Sequence, residues 1–347
     1  MELMCRHIHI YHKELYRLIK KTLCIIILIS FISFLSYCIL YQFSTNKNIS
    51  IKSKFIVKNG NYLYYSLSRD SLSPSLIIRI KENKTEREEI YKDERYLGYL
   101  YLINNNLLCI GAAKEDYDGN NFILDLKNKK IYYPIDVSKF YKNSIFSLNS
   151  YKNSFYFLVE NNLEDNKEQT LYDLYKKSSD GKYNLLASKI QLSYNINGDS
   201  IYYIKNNFIY SMDCNGDKIR KILDLTERIY DFNIYNEKLF LTNNNNTFIY
   251  DLKSNTKVQF EQRYWTWDII FEKDYFYCAD IDGGLYKNSY DGKKRLKLSN
   301  LLANSITLIN NFIYFIKPEE YDEKNDKLND AIIYRIKTDG SNLEEFD

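Results

Sequence analysis

The sequence predicts an all-β chain: a seven-bladed β-propeller set behind a single N-terminal transmembrane helix. Three observations predict it. The composition favours pleated, half-buried surfaces, with 35 Tyr and 19 Phe against 11 Gly and 3 Pro. One apolar-aromatic burst returns seven times at near-regular spacing. A charge-free stretch near the N-terminus is long enough to cross a bilayer. Hydrophobic content of 45% and charged content of 27% are those of a folded protein.

Residues 1–21 read as a short basic cytoplasmic tail, with Arg6, Lys13, Arg17, Lys20 and Lys21 against Glu2 and Glu14. Thr22 to Phe43 follows without a charge. As a helix, about 22 residues at ~1.5 Å each reach ~33 Å, enough for a ~30 Å hydrocarbon core. Arg17, Lys20 and Lys21 abut the span, so the N-terminus is expected in the cytoplasm and the bulk of the chain outside. No small-x-small cleavage site follows the apolar run. A lipoprotein signal would need a small residue just before Cys38, where bulky Tyr37 stands. An uncleaved signal anchor in the cell membrane is therefore expected, then a linker over 44–53.

All three His (His7, His9, His12) precede the anchor, in a solvated tail. Their absence from the rest of the chain excludes a His-based catalytic triad there, and His-ligated zinc or iron. Cys5, Cys24 and Cys38 lie in or before the span. Cys109, Cys214 and Cys278 are scattered, without the paired spacing of a disulfide framework. Cys109 and Cys278 read as small buried hydrophobes, and Cys214 sits in an expected turn open to solvent. Residues 44–347 balance 43 Lys and Arg with 43 Asp and Glu. That neutrality lacks the basic footprint of nucleic-acid binding.

The propeller is expected over 54–347. Its burst is "YLYYS" at Tyr62, "LLCIG" at Leu107, "SFYFL" at Ser154, "SIYYI" at Ser200, "KLFLT" at Lys238, "YFYCA" at Tyr275 and "FIYFI" at Phe312. Steps between the markers Tyr64, Leu108, Tyr156, Tyr202, Phe240, Phe276 and Ile313 are 44, 48, 46, 38, 36 and 37 residues. Short strands at such a period make propeller blades. Seven units are counted, with six or eight blades as alternatives. Each unit reads as four strands, in the sixth "WTWDIIF", "YFYCAD", "GLYKNSY" and "KRLKLS". Asp180-Gly181, Asn215-Gly216, Asp291-Gly292 and Asp339-Gly340 mark the turn between third and fourth strands, since both pairs tolerate positive φ. Contiguous blades are expected; the alternative closure pairs Phe55 to Val57 with the last blade.

Asp199 to Tyr203, Phe208 to Tyr210 with Asn215 to Asp217, and Ile333 to Ile336 with Asp339 to Ser341 carry a resemblance. Over roughly residues 54 to 347 the chain resembles bacterial β-propeller domains of unknown function related to the YWTD propellers of low-density lipoprotein receptors. The resemblance implies the blade and no activity. "YWTWD" at Tyr264 looks like the YWTD signature but falls on an expected first strand, whereas the signature belongs to the second.

The function expected is non-catalytic: a membrane-anchored surface scaffold or sensor that holds a protein, a glycan or an envelope polymer, with no cofactor. Two alternatives stand beside it, a glycan hydrolase working with two carboxylates and a structural subunit of an envelope complex. "DYDGN" at Asp116 and "DIDGG" at Asp280 could offer Ca²⁺ oxygens but lack the rest of an EF-hand, and polar hairpins are the preferred reading. The candidate ligand-binding residues are Arg228, Arg263, Tyr264, Trp265 and Trp267, in connections from fourth to first strands. Arg, Tyr and Trp are the types enriched at binding hot spots. Strand alternation also puts Trp265 and Trp267 on one face, where they could pack between blades.

Overall fold

The computed structural model describes residues 55–67, 75–93, 96–103, 105–112, 121–140, 145–161, 170–229, 231–243, 246–260, 264–280, 283–317, 321–322, 327–328 and 332–347. The tail, anchor and linker expected over 1–53 lie outside them. Among the described residues no helix is long and apolar enough to cross a membrane.

Seven four-stranded antiparallel sheets make the blades. Blade 1 runs Ile56–Asn59, Tyr62–Leu67, Ser75–Lys81 and Arg87–Asp93; blade 2 runs Tyr96–Ile103, Asn106–Ala112, Phe122–Leu124 and Ile131–Tyr132. Blade 3 runs Ile145–Tyr151, Ser154–Glu160, Tyr172–Lys177 and Tyr183–Ile190; blade 4 runs Tyr194–Asn197, Ser200–Lys205, Phe208–Asp213 and Arg220–Asp224. Blade 5 runs Asp231–Tyr235, Lys238–Thr242, Thr247–Asp251 and Thr256–Phe260; blade 6 runs Tyr264–Phe271, Tyr275–Asp280, Leu285–Ser289 and Arg295–Ser299. Blade 7 uses Asn304–Ile309, Phe312–Lys317, Ile332–Lys337 and Glu344–Glu345, with a small hairpin, Tyr321–Asp322 against Lys327–Leu328, between its second and third strands. Every marker of the sequence repeat lies on a second strand.

The bursts are continuously apolar because both faces of a blade are covered. Neighbouring residues on a strand point to opposite faces. Tyr64 therefore packs towards blade 2, with Leu97 and Leu107, while Tyr65 packs towards blade 7, with Ile309 and Tyr314. Phe240 faces Phe271 and Phe276 of blade 6, and its neighbour Leu239 faces Ile204 and Ile209 of blade 4. Polar ties reinforce this packing near the inner strands. Asn195 Nδ2 of blade 4 donates to the carbonyl of Phe232 in blade 5 at 2.8 Å. The Tyr194 hydroxyl lies 2.6 Å from the carbonyl of Ser147 in blade 3.

Turn chemistry explains the wealth of Asn. Eight of the sixteen described non-Gly residues with positive φ are Asn, the residue that best tolerates the left-handed region after Gly. The tight turns Lys152-Asn153, Asn206-Asn207 and Asn236-Glu237 have positive φ at both positions, as the hairpin-compatible type I′ turn demands. The four Asx-Gly turns fall between third and fourth strands, with φ of +84° at Gly181, +92° at Gly216, +73° at Gly292 and +88° at Gly340.

The ring closes without exchanging a strand. Ile56 pairs with Tyr65 inside blade 1, so the alternative that joined Phe55 to Val57 to blade 7 does not hold. Closure rests on side chains: Asn310 Nδ2 donates to Glu82 Oε1 (2.7 Å), Lys84 Nζ to the Glu345 carbonyl (2.6 Å), and Arg335 Nη1 to the Glu82 carbonyl (3.2 Å). Cys214 corrects another expectation. It is half-buried, because its turn lies against Tyr156 of blade 3, whose hydroxyl donates to the Cys214 carbonyl at 3.2 Å; burial pushes its thiol pKa up.

Candidate functional site

Connections from first to second and from third to fourth strands share one face of the ring, here the lower face; the other connections form the upper face. Of the sequence-predicted residues, Arg228 belongs to the upper face. Arg228 is exposed in the connection between Arg220–Asp224 of blade 4 and Asp231–Tyr235 of blade 5. Leu225 and Ile229 on either side of it are buried in the core between these blades, which turns Arg228 outward. Glu227 accepts a hydrogen bond from Asn243, beyond the second strand of blade 5, so the two kinds of upper loop do meet. Arg263, and the side chains of Tyr264, Trp265 and Trp267, lie outside the described residues. The backbone puts Tyr264 on a first strand, as expected, opposite Asp280, with a bulge before Ile269 pairs with Cys278. The Asp280 carboxylate is engaged by Arg295 Nη2 at 2.6 Å, and Gly283 N donates to the Asp280 carbonyl at 3.1 Å, an arrangement that suits a polar hairpin. "DYDGN" at Asp116 lies outside the described residues. Among those described, no three His, Cys, Asp or Glu side chains gather where a metal ion could sit.

The lower face carries a feature that the sequence reading missed. At the Asx-Gly turns of blades 4, 6 and 7 the glycine sits on the outer strand of the preceding blade. A Cβ at Gly216 would come 3.2 Å from Leu186 Cδ2, one at Gly292 3.4 Å from Val258 Cγ1, and one at Gly340 3.4 Å from Leu298 Cδ2. At Gly181 of blade 3 it would meet nothing within 4 Å. The reason is the outer strand of blade 2, which keeps only Ile131 and Tyr132 in the ladder. Pro134 follows, has no N–H to donate, and holds its predecessor out of the α region. The chain therefore leaves the sheet and crosses to blade 3.

That crossing is firmly seated. Lys177 Nζ donates to the Pro134 carbonyl at 2.6 Å, and Asp136 N donates to the Tyr183 hydroxyl at 3.0 Å. Asp136 caps a 3₁₀ turn, Val137–Lys139. Phe140 then meets Phe157, Tyr175 and Tyr183 edge-on, with centroids 5.3, 5.1 and 5.4 Å away. Between the short strand and blade 3 opens a groove of about 850 Å³.

Its floor includes Leu102, Ile103, Ile123 and Phe155, and Ser150, Asn153, Ser178 and Ser179 add polar groups. Tyr132 and Tyr133 stand at its edge, 47% and 52% exposed although large and aromatic. Lys152 and Lys177 supply two positive charges, and the described lining contains no carboxylate. Asp199 of blade 4 accepts from Lys152 and from the Tyr151 hydroxyl (2.9 Å), and the hydrogen bond from Lys152 holds the ammonium pKa above the usual lysine range. Two sequence signs point here: the longest step between markers, 48 residues from Leu108 to Tyr156, and the run Tyr132-Tyr133-Pro134.

No family model and no curated protein matches the chain. Solved structures do match its fold. A prolyl endopeptidase structure aligns with 90% of this chain at 9% identity and a TM-score of 0.58; the chain spans 51% of that protein's length. The uncharacterized protein lmo1340 from Listeria monocytogenes EGD-e aligns with 85% of this chain and 94% of its own, at 11% identity and a TM-score of 0.53. The computationally designed Ika8 protein aligns with 87% of this chain and 98% of its own, at 8% identity and a TM-score of 0.50. At such identities the likeness extends to the fold alone.

Proposed function

We propose that this chain is a membrane-anchored, single-pass surface protein whose propeller binds a ligand without catalysis, in the groove between blades 2 and 3. The observation that carries the reading is the broken repeat at Gly181. The turn that sits on the preceding blade elsewhere faces open space there, and exposed Tyr132 and Tyr133 border the gap. Concave sites with aromatic walls and a few placed polar groups are the usual ligand sites of proteins. The kinship with YWTD propellers belongs to the same reading. A carboxylate hydrolase is less well supported at this groove, whose described lining offers no acid or base of that type.

The test is crosslinking in cells, comparing the natural protein with a Tyr132→Ala, Tyr133→Ala variant. Loss of the captured molecule, at a temperature well below the variant's own melt, is the expected result. Undiminished capture by the variant removes the groove from the reading. The N-in orientation is checked by external protease on intact cells with permeable outer layers. Digestion beyond Lys47 is expected, and protection until lysis overturns the orientation.

A further inference from the structure

Resting on that reading of the groove, we infer that its ligand is an anionic polysaccharide, one whose sugar rings lie on the tyrosine faces and whose negative groups meet Lys152 and Lys177. The groove lining holds two ammonium groups, Lys177 and a Lys152 that is ion-paired with Asp199 of blade 4, and no described carboxylate. One flanking turn adds to this: residues 125–130 carry three Lys and one Asp, while residues 178–182, with one Lys and one Asp, are neutral. The lysines are also placed. Lys177 is tied by the Pro134 carbonyl and lies over the Tyr183 ring at 5.6 Å. Lys152 is tied by Asp199 and lies over Tyr151 at 5.4 Å. An ammonium has three donors, so a single tie leaves capacity for an incoming negative group.

The shape of the groove favours a glycan over a peptide. A peptide that adds to a sheet needs a run of open backbone groups along an edge. The outer strand of blade 2 offers two residues and then Pro134, a poor edge. What the groove does offer is rings and hydroxyls: Tyr132, Tyr133 and Tyr151 present amphipathic faces, and Ser150, Ser178 and Ser179 present hydroxyl groups. A chain of hydroxylated rings matches that lining. The described lining meets negative charge through lysine alone, and an ammonium takes carboxylate and phosphate alike, so the titration below separates the two.

The experiment is calorimetric titration of the full chain in detergent micelles with oligogalacturonate, a neutral galactan, polyphosphate and polyglutamate. Oligogalacturonate is expected to bind, and to weaken strongly in about 1 M salt, where the screening length is about 3 Å. Lys152→Ala is expected to lower affinity roughly tenfold, the scale of one lost charge-assisted hydrogen bond. Its side chain is 65% exposed, so folding is not at stake, and an unchanged melt is checked alongside. Tyr133→Ala is expected to weaken oligogalacturonate too. Equal binding of neutral galactan overturns the anionic assignment, and equal binding of polyphosphate overturns the glycan. Equal binding of polyglutamate, insensitive to Tyr133→Ala, overturns the glycan. If oligogalacturonate fails to bind while cellular capture still depends on Tyr132 and Tyr133, this inference falls and the groove remains a binding site.

Discussion

The Tyr65 hydroxyl donates a hydrogen bond to Oδ2 of Asp347, a residue 282 positions further along the chain. Tyr65 belongs to blade 1, while the Asp347 backbone carbonyl accepts from Ile333 N of blade 7 at 3.0 Å. Arg87 Nε of blade 1 adds a second bond to the same carboxylate at 3.1 Å. A ring built from contiguous blades has no shared strand to hold its last seam, so this carboxylate serves as its latch. Bonds to charged groups contribute about 1.5–3 kcal/mol. Asp347→Ala is therefore expected to destabilise the propeller by about 2 kcal/mol, and Tyr65→Phe by about 1 kcal/mol. The two changes share one bond, so their effects should be less than additive in a double-mutant cycle by denaturant unfolding. Full additivity would show that the seam does not depend on this pair.

Asp251 in blade 5 accepts from Lys238 and from the backbone N–H groups of Lys253 and Ser254, both at 3.0 Å. These bonds, the lysine first, hold its pKa at about 2, below the ordinary 3.8. A depressed pKa means that the stabilisation is fully present above the unfolded value and is lost as pH falls through the folded one. Asp251→Asn should cost about 1–2 kcal/mol at pH 7. The gap between variant and natural protein should narrow steadily between pH 4 and about pH 2. A gap constant with pH would locate the effect in neutral packing.

Gly216 and Gly181 make an internal control for the turn repeat. Both have positive φ, so Ala strains the backbone at either site. Only at Gly216 does the new Cβ also press on Leu186. Gly216→Ala should lower stability by about 1–3 kcal/mol and Gly181→Ala by about 1 kcal/mol. Equal losses in thermal melts would mean that φ alone decides and that the seat on the neighbouring blade is immaterial.

The parts of this fold that repeat were legible because each repeat states its own local chemistry. Bursts such as Ile201-Tyr202-Tyr203 announce strands buried on both faces, and Asn215-Gly216 announces its turn. The seam was not legible. Nothing local to Asp347 names Tyr65 as its partner, and a choice between contiguous and exchanged closure needs the register of Ile56 against Tyr65. The groove is a departure from the repeat, so likeness between the units does not reveal it. Only the position of Pro134, two residues after Tyr132, shortens that strand. Residue type singled out Arg228, whose exposure follows from the burial of Leu225 and Ile229 beside it, but composition could not tell which face of the ring carries a ligand.

Arg228 supplies the comparison between the two faces. It stands exposed on the upper face, and the groove opens on the lower one. Exposed substitutions away from special features usually shift stability by less than about 0.5 kcal/mol. Arg228→Ala should therefore melt like the natural protein, while the Tyr132→Ala, Tyr133→Ala variant, which removes two half-buried rings, is compared at a temperature well below its own melt. The groove reading requires capture in cells to fall only in the tyrosine variant. If capture instead falls only with Arg228→Ala, at an unchanged melting temperature, the ligand sits on the upper face beside Arg228. A fall in both would mean a ligand large enough to engage the two faces around the outer wall, and crosslinked peptides from Tyr133 and from Arg228 should then be joined to the same molecule.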